Sequence, residues 1–174
     1  MIVPFKPVYF EKATRRFKYI IIHDLSCRFA NLDKAKVDSK KSVASTLRGF
    51  NWVFNNEHDL PYHFLCERIG EDYETIMGRP FQYFCIFDDI KSEFIPSIHI
   101  AVAGLYSFTS QPTNRAYQQV GYRAISPLMK WFKIQISNVY LHHEVSNDKD
   151  HSCPGAMFNK NKLLAATKPM ILMK

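Results

Sequence analysis

Apolar and polar positions divide the chain into alternating strand and helix patterns. The run Tyr19, Ile20, Ile21 and Ile22 closes on His23 between charged flanks, so residues 17–23 predict a buried strand. Val43, Leu47, Phe50, Val53 and Phe54 share one face at helical spacing, which predicts a helix over 42–56 capped by Ser42 or Ser39. After Pro61, strands at 62–69 and 73–77 read as a hairpin joined by Gly70, Glu71 and Asp72 and ending in Gly78, Arg79 and Pro80. Residues 97–103 form another buried strand, closed by Gly104. A helical pattern covers 113–134, where Pro127 lacks the backbone donor and should break or kink it, with Ser126 capping the second piece. A last short strand at 139–142 and a terminal helix at 155–167 complete the pattern, while Pro4 and Pro7 leave residues 1–14 as an irregular arm. Strands interleaved with helices imply an α/β fold, a central mixed β-sheet flanked by helices.

With 174 residues, the chain has the length of one domain spanning 1–174. Hydrophobic residues at 47% and aromatics at 14% supply enough apolar surface for a core and argue against disorder. A net charge of +7 attracts polyanions, and both cell-wall polymers and nucleic acids answer to that description. The basic residues are scattered, clustering only at Arg15, Arg16 and Lys18 and at Lys34, Lys36, Lys40 and Lys41, which equally describes a solvated surface. Four cysteines, Cys27, Cys66, Cys85 and Cys153, are too few for a disulfide-stapled scaffold, and Cys66 falls in a strand pattern as a buried thiol. No secretory leader and no apolar run of membrane-spanning length is visible, so synthesis in the cytoplasm without membrane insertion is expected.

The chemistry concentrates in VYLHHEVSNDKDHSCPGAMF, residues 139–158, where His142, His143, Glu144, His151 and Cys153 crowd one polar loop. Pro154 and Gly155 put the Cys153 sulfur at a sharp turn. A loop cysteine beside histidines suits zinc, because a thiolate and neutral imidazoles satisfy a tetrahedral ion of borderline softness. His23, at the end of its strand, is the upstream candidate for a third donor, and three protein ligands with an open fourth position is the catalytic arrangement.

The order IIIH, PYHF, GRP, SIHIAVAG, LHHEV and CPG followed by Phe158 resembles the zinc-dependent N-acetylmuramoyl-L-alanine amidases of phage lysozyme type, which share a fold with peptidoglycan recognition proteins. The resemblance runs from Tyr19 to Phe158. It implies that His23, His142 and Cys153 hold Zn2+ and that Tyr62 assists the zinc-bound water. His142 is preferred to His143 because neighbours on a strand face opposite ways. His151 stands where many members carry a lysine that stabilises the oxyanion, and Lys149 is near enough to replace it. Leu141 and His99 occupy usual glycine positions, and FQYFCIFDDIKSEFIP replaces a glycine-rich loop containing histidine. Glu144 either orients a ligand from outside the coordination sphere or lies on the surface. Arg79 either contacts an anionic substrate or pairs with a carboxylate, and His63 is structural.

The implied activity is hydrolysis of the amide between N-acetylmuramic acid and L-alanine by a monomer, with peptidoglycan or muropeptides as partner and release by lysis or a dedicated secretion route. A muropeptide-binding module without catalysis is the alternative. A nucleic-acid protein with a structural zinc would need a fourth ligand such as Cys27 and a CxxC-type knuckle, which the sequence lacks.

Overall fold

The computed structural model describes residues 17–24, 60, 62–69, 72–85, 87–103 and 111–167. Five strands, β1 (Tyr19–Asp24), β2 (Phe64–Ile69), β3 (Asp72–Met77), β4 (Ser97–Val102) and β5 (Val139–Leu141), form one sheet in the order β3-β2-β4-β1-β5. β1 runs parallel to β4 and β5, β2 runs parallel to β4, and the β2–β3 hairpin is antiparallel, so the sheet is mixed as the interleaved pattern implies. Position in the sheet explains composition. β4 is buried at all six positions and β1 at five of six, the continuous apolar signature of strands covered on both faces. The edge strand β3 instead exposes Asp72, Glu74 and Met77.

Among the described residues there are four α-helices: α1 (Asn114–Gln118), α2 (Ser126–Phe132), α3 (His142–Val145) and α4 (Lys160–Ala166). Thr113 caps α1 by accepting the Ala116 N–H at 3.1 Å. The interruption expected at Pro127 takes the form of a π-helical stretch, Gln119–Ile125, between α1 and α2. Its wider spacing carries the Ser126 N–H to the Gly121 carbonyl just before the proline removes a donor. Ser126 is therefore not the cap the sequence predicts: its backbone is helical, and its hydroxyl donates to the same carbonyl at 3.0 Å. The last helix begins at Lys160, not at residue 155, because Gly155 has φ of 99° and the Asn159 side chain caps Lys162 N–H at 3.0 Å.

The sheet separates two apolar layers. Ile20, Ile22, Ile98, Ile100 and Leu141 pack against Tyr117, Val120, Ile125, Leu128 and Leu163 of the helical layer. Ile21, Leu65 and Ala101 face the other way, against Leu60, Tyr62, Phe87, Ile90 and Val145. Each fully buried isoleucine or leucine contributes roughly 1.5–3 kcal/mol of transfer free energy, so the helical layer anchors the sheet, and among the described residues connecting segments and Val145 cover its opposite face. The arm at 1–14, the helix expected at 42–56 and Cys27 lie outside the described residues. No helix among the described residues is long and apolar enough to cross a membrane.

Candidate metal centre

Two adjacent strand ends and one loop converge on the second face. β1 pairs with β5 through Ile22 and Leu141, so His23 and His142, the residues that follow this pair along the chain, emerge side by side at one rim. β5 stops at Leu141, where the sequence predicts one residue more, and His142 opens the single turn α3. Glu144 holds that turn: its Oε2 accepts the Leu141 N–H at 2.7 Å and pairs with Lys160 Nζ at 2.6 Å. The choice of His142 over His143 thus rests on helical geometry, with His142 turned inward and His143 exposed. His143 donates its backbone N–H and its Nδ1–H to the Cys153 carbonyl at 2.9 and 3.0 Å, tying the cysteine turn to α3. From the other side, the Asp24 N–H donates to Cys153 Sγ at 3.3 Å.

His23, His142 and Cys153 are 0%, 1% and 2% exposed, and each offers a ligand atom within 4.8 Å of the others. His23 Nδ1 stands 3.9 Å from Cys153 Sγ, close to the roughly 3.6 Å that a tetrahedral ion at normal Zn–N and Zn–S distances would impose. Two imidazoles and a sulfur make a donor set that fits zinc. Cys153 is disulfide-bonded in this structure, whereas Cys66 and Cys85 are thiols outside any disulfide. A disulfide sulfur lacks the thiolate charge that zinc selects, so the fit belongs to the reduced chain.

A second cluster shares His142. Asp89 Oδ2 lies 3.1 Å from His142 Nε2 and 3.4 Å from His151 Nδ1, and it accepts the Ser146 hydroxyl at 3.2 Å. His151 Nε2 is 2.8 Å from His142 Nδ1. Hydrocarbon closes the inner side: Phe87 stacks on His23 with centroids 4.6 Å apart, and Tyr62 packs on the same histidine at 5.2 Å. A separate cleft of about 870 Å³ opens by the helical layer between Tyr73, Arg115, Tyr122 and Lys162 and contains none of these residues.

Solved structures place this architecture. The N-acetylmuramoyl-L-alanine amidase LysC from Clostridium intestinale superposes with a TM-score of 0.61 over 89% of this chain and 91% of its own, at 17% identity. The endolysin of the Thermus scotoductus bacteriophage Ph2119 gives 0.62 over 93% and 92%, at 18% identity. Bumblebee PGRP-SA gives 0.63 over 92% and 87%, at 15% identity. This chain has the amidase and peptidoglycan recognition protein fold. No family model and no curated protein matches the sequence, so the fold is shared while the chemistry has to be read from this chain's own residues.

Within that fold the structure sorts the residues singled out by sequence. His23, His142, Cys153, Tyr62 and His151 come together. Lys149 is exposed at a turn, and among the described residues no hydrogen bond or ion pair ties it to the histidines. Glu144 acts on the backbone of α3 and on Lys160, not on a ligand ring. Arg79 is 3% exposed and donates from Nη1 to the Phe84 carbonyl at 3.2 Å. His63 is structural, with Nδ1 accepting the His99 N–H at 3.0 Å and Nε2 donating to the Tyr83 carbonyl at 3.0 Å. Burial lowers its pKa to about 4, the Tyr83 contact opposing and the Arg79 charge assisting. Burial likewise pushes the Cys66 thiol up to about 12.

Sequence reasoning missed Asp89 and Phe87. Both lie in FQYFCIFDDIKSEFIP, the segment that departs most from the amidase pattern, and its paired aspartates were the available signal.

Proposed function

We propose that this protein is a zinc-dependent N-acetylmuramoyl-L-alanine amidase that cleaves peptidoglycan or its fragments at the lactyl amide. One observation carries the reading: within the amidase and peptidoglycan recognition protein fold, two imidazoles, of His23 and His142, and the Cys153 sulfur, a zinc-type donor once reduced, lie within 4.8 Å at one sheet rim. Bound there, zinc would supply a water acidified towards a pKa of about 7 and a polarised scissile carbonyl. The chain's own groups do the rest. Tyr62, packed on His23, would orient the attacking water, and Phe87 would keep bulk solvent from the ligands' inner side. His151, with 17% side-chain exposure, would exchange its Nε2 contact with His142 for the oxyanion that develops at the site's open side while Asp89 holds Nδ1. The whole of 1–174 serves as one amidase domain, acting as a monomer on wall polymer reached by lysis or a dedicated secretion route.

The disulfide at Cys153 favours a second reading for the oxidised chain: a module that holds muropeptides without cutting them. One solved relative in fold, a complex of the peptidoglycan recognition proteins LCa and LCx, is bound to tracheal cytotoxin. The test is to incubate reduced, zinc-loaded protein with muropeptides, with and without chelator and alongside His142→Ala, and to look by mass spectrometry for separated glycan and peptide. Cleavage by the loaded wild type alone is expected. Intact fragments that co-elute with the protein would replace the amidase by the binding module.

A further inference from the structure

We propose that His99, joined to Ser97, is a positioning residue that sets the tautomer of His23 so that Nδ1 offers its lone pair to the metal. The inference rests on the metal centre proposed above. Its basis is a fully buried chain of side chains along one face of β1 and β4: His23 Nε2 lies 2.8 Å from His99 Nδ1, and His99 Nε2 lies 2.7 Å from Ser97 Oγ. The three residues are 0%, 1% and 0% exposed, so water does not compete for these contacts.

The proposed direction of the proton chain starts at its far end. With the Ser97 hydroxyl turned to the Ile95 carbonyl 3.5 Å away, its oxygen accepts from His99 Nε2–H at 2.7 Å. His99 Nδ1 then has no proton and accepts one from His23 Nε2–H. That leaves the lone pair of His23 on Nδ1, the nitrogen facing Cys153 Sγ. Phe87 stacks on both imidazoles, at 4.6 Å and 19° on His23 and at 4.8 Å and 18° on His99, and so holds the two ring planes nearly parallel. The sheet register supplies the spacing, because His99 pairs with Ile21 and sits diagonally beside His23 on the same face. The backbone of His99 is held in turn by its N–H bond to His63.

Such outer partners of ligating histidines fix ring orientation and typically change metal affinity by about 10–100-fold when removed. The experiment uses the full chain under reducing conditions and measures Zn2+ affinity by competition with a chromophoric chelator for wild type, His99→Leu and His99→Gln. Gln presents a carbonyl oxygen to His23 Nε2–H and an amide N–H to Ser97, so it should stay within about threefold of wild type, while Leu should lose about 10–100-fold. Equal affinities for all three proteins, or equal losses in both variants, overturn the proposal. Independently of any variant, long-range 1H–15N spectra of the metal-free wild type should show His23 protonated on Nε2, and a proton on Nδ1 overturns it even if His99→Leu fails to fold. Wild-type protein that binds no zinc would overturn the metal centre itself, an outcome distinguishable from failure of the His99 variants alone.

Discussion

His151 Nε2 lies 2.8 Å from His142 Nδ1, and the other nitrogen of the His151 ring stands 3.4 Å from Asp89. The imidazole that occupies the usual lysine position is thereby held against a proposed ligand, while Lys149 points into solvent. Loss of an oxyanion donor costs about 10²–10³ in kcat, so His151→Ala should fall by that factor with KM nearly unchanged, and Lys149→Ala should keep turnover within about twofold. Steady-state cleavage of a defined muropeptide separates the two residues; a large loss confined to Lys149→Ala would reverse the assignment.

The proposed metal centre should answer to redox state. Because Cys153 is disulfide-bonded here and zinc needs its thiolate, a dithiol reductant should raise Zn2+ affinity by about 100-fold or more, with release of a proton on binding. Cys153→Ser should remain weak with or without reductant. Calorimetric titration of oxidised and reduced protein reads both, and identical affinities would remove Cys153 from the ligand set.

Gly78 positions Tyr62 by close approach. A Cβ at residue 78 would collide with the Tyr62 carbonyl and approach Leu60 Cβ to 2.7 Å, and the neighbouring Arg79 N–H bonds that same carbonyl at 2.8 Å. Gly78→Ala should therefore destabilise the fold by about 1–3 kcal/mol, as overpacking against backbone does, and displace Tyr62 from His23. Denaturant midpoints and the chemical shifts of His23 test this together; a variant with wild-type midpoint would show that the backbone yields freely.

Burial of His63 sets an acid limit on stability. Its pKa is lowered from 6.5 to about 4, so between those values the unfolded chain binds a proton that the folded chain refuses. The stabilisation is complete above pH 6.5 and is lost as pH falls to about 4, on the order of 3 kcal/mol in all. His63→Gln, which keeps an acceptor for the His99 N–H, should flatten this part of the profile. Thermal melts at pH 7 and pH 4.5 give the comparison, and equal acid sensitivity in both proteins would assign the effect elsewhere.

By itself the sequence determined the mixed α/β sheet and the location of its chemistry. Continuous apolar runs at Ile20–Ile22 and Ile98–Val102 can be satisfied only inside a covered sheet, and His23, His142 and Cys153 stand where short strands and a turn must end. These signals are local, carried by periodicity and by single residues at element ends. Tertiary structure alone decided which neighbours those residues meet. The pairing of β1 with β4 put His99, a departure from the amidase pattern, against His23; the packing of the 81–96 segment on the sheet brought in Asp89 and Phe87; and the same packing buried Arg79. Contacts between positions tens of residues apart depend on register and layer packing, which no spacing along the chain encodes.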